Sequence, residues 1–119
     1  MIKKNKFEKL VAEAIDGLPE KFQRKMNNIN IAVEYRPSKE ILRKQGIKSP
    51  SILLGLYQGI PLKKRGVYYS NVLPDMITIY QEPIEMLCVN ENAVKERVKE
   101  VVMHELGHHF GMTEEDLAR

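Results

Sequence analysis

One stretch near the C-terminus constrains this chain more than any other. From Asn90 or Glu91 to about Phe110, apolar residues recur at helical spacing. Val94, Val98, Val101 and Val102 form one stripe, and Lys95, Glu96, Arg97, Lys99 and Glu100 occupy the opposite side. Further along, Met103, Leu106 and Phe110 make the far side apolar as well. The first half therefore reads as a surface helix and the second half as a helix surrounded by protein. Glu105 falls near the centre of the apolar stripe, where a carboxylate is costly without a compensating partner.

His104 and His108 flank that carboxylate in the pattern His-Glu-x-x-His. Residues four apart share a helical face with Cβ atoms about 5–6 Å apart, close enough for two imidazoles to reach one tetrahedral zinc ion. Glu105 is one residue round from His104, so it borders the ion without binding it. There it can take a proton from a water on the metal, as a general base. Such a water would also be the partner the buried carboxylate needs. All three histidines of the chain lie between positions 104 and 109. His109 points about 100° away from His108 and reads as a packing or supporting residue.

A hydrolytic zinc site needs a third protein ligand and an open fourth position. Eleven residues follow His108 in a chain of 119, too few to return a glutamate from a distant later helix. Gly111 can take the left-handed conformation that reverses a chain after a helix. The tail beyond it offers Glu114, Glu115 and Asp116, with Glu114 favoured by its spacing from His108. The alternative for this acidic trio is a solvated cluster opening a short terminal helix after Thr113.

The length suits one domain over residues 1–119 with a single core. Charged residues make up 29% and the net charge is +3, which does not by itself call for a nucleic acid. Lys3-Lys4-Asn5-Lys6 and Lys63-Lys64-Arg65 read as solvated clusters. Glu8, Glu13 and Asp16 interrupt any apolar signal region, and no run reaches membrane-spanning length. Cys88 is the single cysteine, so no internal disulfide forms; it reads as a small buried residue, and a cytoplasmic setting is expected.

Upstream, Phe7, Leu10, Val11, Ala14, Ile15 and Leu18 predict a helix over Asn5–Asp16 stopped by Gly17. Pro19 can open a second short helix carrying Phe22 and Met26, ended by Asn27-Asn28. Alternation at Ile29, Ile31, Val33 and Tyr35 predicts a strand. Ser38 caps a short helix closed by Gly46. Ile52 to Tyr57 is continuously apolar and reads as a buried strand or a short buried helix, Val67-Tyr68-Tyr69 as a short strand, and Met76 to Gln81 as a strand ended by Pro83.

Taken together, His104-Glu105-Leu106-Gly107-His108-His109-Phe110-Gly111 and the acid at Glu114 resemble the metzincin pattern His-Glu-x-x-His-x-x-Gly-x-x plus a third ligand. The chain more closely resembles a family of small prokaryotic proteins with a minimal, matrix-metalloprotease-like zincin core. Residues 53–62 (Leu-Leu-Gly-Leu-Tyr-Gln-Gly-Ile-Pro-Leu) and 73–80 (Leu-Pro-Asp-Met-Ile-Thr-Ile-Tyr) match that family, as does His-His-Phe-Gly. The resemblance spans about Leu18 to Leu117. It implies an α+β minimal zincin fold: a small twisted mixed sheet with an N-terminal helix and a C-terminal active-site helix. It also implies Zn²⁺ as cofactor, a peptide or protein substrate, and substrate backbone lying along an edge strand, here assigned to the segment between Gly59 and Ser70. Larger metzincins carry histidine where Glu114 stands, and Met112 is too close to His108 to form their methionine turn.

The resulting expectation is a zinc metallopeptidase with His104, His108 and Glu114 on the metal and Glu105 as base. Tyr57, Tyr68, Tyr69 and Tyr80 are candidates to stabilise an oxyanion. Two rivals remain: a metal-dependent hydrolase of another class, such as one acting on RNA, and a non-catalytic, zinc-stabilised binding module with a closed site. Glu105 in the base position argues against the RNA reading. Neither substrate identity nor oligomeric state follows from the sequence.

Overall fold

A computed structural model of the chain describes residues 2–49, 52–59 and 75–111. It is an α+β fold in which helices pack with a three-stranded mixed sheet. The elements in order are α1 (Lys4–Asp16), α2 (Glu20–Lys25), β1 (Ile29–Glu34), α3 (Lys39–Gln45), β2 (Gly55–Gln58), β3 (Asp75–Tyr80), α4 (Gln81–Leu87) and α5 (Glu91–His109).

The central strand is β3. It pairs in parallel with β1, Ile31 opposite Ile77, and antiparallel with β2, Leu56 opposite Thr78. A strand with neighbours on both edges and cover on both faces should be apolar throughout. Accordingly Ile77, Thr78, Ile79 and Tyr80 are all buried. The core joins Phe7, Leu10, Val11 and Ala14 of α1 and Phe22 of α2 to Ile77 and Ile79. Val94, Val98, Val101, Val102 and Leu106 of α5 complete it, so the stripe read from the sequence is the inner face of that helix.

Local signals explain the ends of the elements. Asn90 Oδ1 accepts the Ala93 N–H at 2.8 Å and starts α5, while Ser38 Oγ accepts the Ile41 N–H at 3.1 Å and starts α3. Gly46 ends α3 at φ 69°, a left-handed conformation that costs glycine nothing. In α1 the helix begins a residue earlier than expected, after Lys3, and Asn5 lies inside it.

Two expectations need correction. The apolar run from Ile52 is not a buried strand along its length: β2 begins only at Gly55, and Ile52 is 67% exposed. Pro83 does not end β3 by breaking structure. The strand stops at Tyr80 and α4 starts at Gln81, with Pro83 in its first turn, where its missing N–H leaves no intrahelical bond unmade. The expected strand at 67–69 lies outside the described residues. Cys88 is only partly buried, packed against the core just after α4, and burial pushes its thiol pKa up.

Candidate metal centre

α5 runs for 19 residues, about 28 Å, and carries the His-Glu-x-x-His pattern in its last two turns. Its rotation is set by what it buries. Val98, Val102 and Leu106 are inaccessible, and with Val101 they fix one face against the sheet and α1. His104 and His108 fall on the edge of that buried face and are exposed. Their ring centroids stand 6.2 Å apart with planes at 64°. Two imidazoles binding one zinc at about 2.0–2.1 Å would bring their centroids to roughly 5 Å, so a small side-chain rotation closes the pair on an ion. The donor set, two exposed neutral-capable imidazoles beside a carboxylate, suits zinc.

Glu105 is half-buried between α5 and β2. Its Oε1 accepts the backbone N–H of Tyr57 at 2.9 Å. The partner that its position in an apolar stripe demands is therefore an edge-strand amide. Sequence reasoning supplied only a metal-held water for that role and missed Tyr57, which lies 48 residues away. Because β2 uses Leu56 and its alternate neighbours to pair with β3, the Tyr57 amide faces the helix. The same alternation turns the amide and carbonyl of Gly55 to the edge of β2 that pairs with no strand among the described residues.

Gly55 is where β2 comes closest to α5. A Cβ built there would sit 2.5 Å from Val101 Cγ1 and 3.2 Å from the Thr78 carbonyl oxygen, so only glycine fits without a shift. Beyond it a groove of about 310 Å³ runs along the helix, with Leu53 and Gly55 on one wall and Arg97, Val101, His104 and Glu105 on the other. The edge strand beside the histidines is thus β2. The segment from Gly59 to Ser70, expected in that role, lies outside the described residues apart from Gly59.

His109 stacks on the Tyr57 ring, centroids 4.0 Å apart and planes at 15°, consistent with its packing role. The Tyr57 hydroxyl donates to Asp75 Oδ2 at 2.6 Å. Tyr80, another oxyanion candidate, is 1% exposed in the core; Tyr68 and Tyr69 lie outside the described residues. After α5 the chain turns at Gly111 with φ 68°. Glu114, Glu115 and Asp116 also lie outside the described residues, and among those described no group of three or more His, Cys, Asp or Glu side chains converges on a metal position.

A family model described as zincin-like metallopeptidase matches residues 26–119. The chain belongs to that family. No curated protein matches the sequence. The matched region of this zincin-like metallopeptidase begins at the end of α2 and takes in the whole sheet and α5, which is consistent with the minimal zincin fold. Among the described residues no helix is long and apolar enough to cross a membrane.

Proposed function

We propose that this zincin-like metallopeptidase is a zinc-dependent peptidase. His104, His108 and a tail carboxylate, Glu114 first among them, would hold the ion. When bound, zinc supplies Lewis acidity and a water acidic enough to ionise near neutral pH. The chain's own part is to orient and to move a proton. Glu105, with one oxygen engaged by the Tyr57 amide, has a second oxygen to accept a proton from the attacking water and deliver it to the leaving amine. An extended peptide laid along the groove would meet the outward amide and carbonyl of Gly55, adding to the open edge of β2 as a further strand. A cytoplasmic setting is supported by the single cysteine.

The observation that carries this reading is the juxtaposition of two exposed histidines, the half-buried Glu105 and a groove that passes His104 and the start of β2. A closed structural site would seat its histidines away from such a groove; this favours the enzyme over the binding module. The test measures metal content and peptide cleavage together. The wild type should hold about one zinc per chain, His108→Ala and Glu114→Ala should lose it, and Glu105→Gln should keep it while losing cleavage. Cleavage retained in Glu105→Gln would sink the mechanism, and zinc retained in Glu114→Ala would move the third ligand to Glu115, Asp116 or elsewhere.

A further inference from the structure

Tyr57 meets the last turns of α5 in two ways and the start of β3 in a third. Its amide donates to Glu105 Oε1 at 2.9 Å, its ring stacks on His109 at 4.0 Å, and its hydroxyl donates to Asp75 Oδ2 at 2.6 Å. The same Asp75 oxygen lies 3.9 Å from His109 Nε2. Glu105 and His109 are four residues apart and so share one stripe of the helix. His104 and His108 form the adjacent stripe, one residue or about 100° round. Which stripe faces β2 is a matter of how the helix end is rotated, and Tyr57 grips the inner one at both of its positions.

The buried valines and Leu106 set the rotation of α5 as a whole, and the grip of Tyr57 adds a hold at its end, where contacts among the described residues thin out. Leu106 and Gly107 are buried, but His108, His109 and Phe110 are all exposed. Lys25 over the Phe110 ring at 4.7 Å is a surface contact of modest strength. Asp75 opens β3, the central strand, so the hydroxyl bond ties Tyr57 to the strand that pairs with both others. We infer that Tyr57 and Asp75 are positioning residues for the metal centre: in addition to the buried face, they steady the last two turns of α5 and thereby the direction of His104 and His108. The inference rests on the metal site proposed above. Neither residue is a ligand. They act one step removed from the ligands, through Glu105 and His109, so their loss should weaken metal binding by less than the roughly 10–100-fold typical of groups bonded to a ligand directly.

The test is zinc affinity, read by competition with a chromophoric chelator, with the cobalt-substituted absorption spectrum as a second readout. Tyr57→Phe keeps the ring and the amide and removes only the bond to Asp75. It should weaken zinc binding by about three- to tenfold and shift the cobalt bands, with little change in the melting temperature of the metal-free protein. Asp75→Asn retains an acceptor and should fall between wild type and Asp75→Ala. Tyr57→Phe combined with Asp75→Ala should be no weaker than Asp75→Ala alone, because Asp75→Ala already removes the bond that Tyr57→Phe removes. Affinity within twofold of wild type and an unchanged cobalt spectrum in Tyr57→Phe would overturn the inference alone. So would a lower metal-free melting temperature with unchanged affinity, which would make Tyr57 a packing residue. A wild type that binds neither ion would overturn the metal site and the inference together.

Discussion

Replacing Gly55 by alanine tests whether the approach of β2 to α5 is as tight as the structure has it. The added methyl would lie 2.5 Å from Val101 Cγ1, more than 1 Å inside ordinary carbon contact. Val101 cannot easily yield, being 8% exposed and β-branched. Overpacking of this kind costs about 1–3 kcal/mol, and the upper half of that range applies here. Alanine recovers about 0.4–1 kcal/mol by restricting the unfolded chain, so the net loss should be about 1.5–2 kcal/mol. Val101→Ala alone should cost about 1.6 kcal/mol for two buried methyl groups. In that background the clash is gone and Gly55→Ala should be close to neutral, because only the Thr78 carbonyl contact at 3.2 Å remains. The coupling is then about 2 kcal/mol, well above the 0.3–0.5 kcal/mol within which independent sites add. Urea denaturation of the wild type, two single variants and the double variant measures it, with a fall of roughly 6–8 °C in Tm expected for Gly55→Ala. Additive losses would refute the packing argument. So would a Gly55→Ala protein as stable as wild type.

Other outcomes follow from single features. Asn90→Ala removes the cap on the Ala93 amide and should cost about 1 kcal/mol, seen as a drop of roughly 4 °C in Tm. Arg36 donates to Glu82 at 2.7 Å and holds its carboxyl below the usual 4.5. A depressed pKa stabilises the fold above the unfolded value and ceases to do so as pH falls through the folded one. The Tm difference between wild type and Glu82→Gln should therefore be present at neutral pH and vanish in acid; a difference that persists at pH 2 would contradict this. Removal of metal by a chelator should leave far-ultraviolet circular dichroism unchanged, since the core joins α1, the sheet and α5 without the histidines. Adding zinc at about 100 times its Kd should then raise stability by about 2.7 kcal/mol.

The elements legible in the sequence were those decided locally. Val94, Val98 and Val102 mark the buried face of α5 because helical spacing and burial coincide there, and Asn90, Ser38 and Gly46 act within a turn of themselves. Where the sequence misled, a distant partner decided. Ile52 belongs to an apolar run, yet the ladder to β3 starts only at Gly55, and no periodicity reveals where a neighbour begins. Pro83 looks like a stop in isolation, but a proline is equally at home in the first turn of a helix, and the helix beyond it is short. His104 and His108 were legible because one helix carries both. Tyr57 was not, because the contact that gives it a role spans 48 residues and uses its backbone amide, which every residue except proline possesses.

That amide changes how the site should be understood. A carboxylate in an apolar stripe has two ways to be tolerated: a ligand that arrives later, or a donor built into the fold. Here the donor is built in, so Glu105 has a hydrogen-bonding partner without a metal. The arrangement also divides labour along the helix. Glu105 and His109 face Tyr57, which hydrogen-bonds the first and stacks on the second, while His104 and His108 stand one residue round and are exposed. A base must be held still to work, whereas a ligand pair must stay accessible to a metal and a substrate. Under the proposed roles, with Glu105 as base and His104 and His108 as ligands, offsetting the two pairs by one residue of the helix would meet both needs, with β2 holding Glu105 and His109.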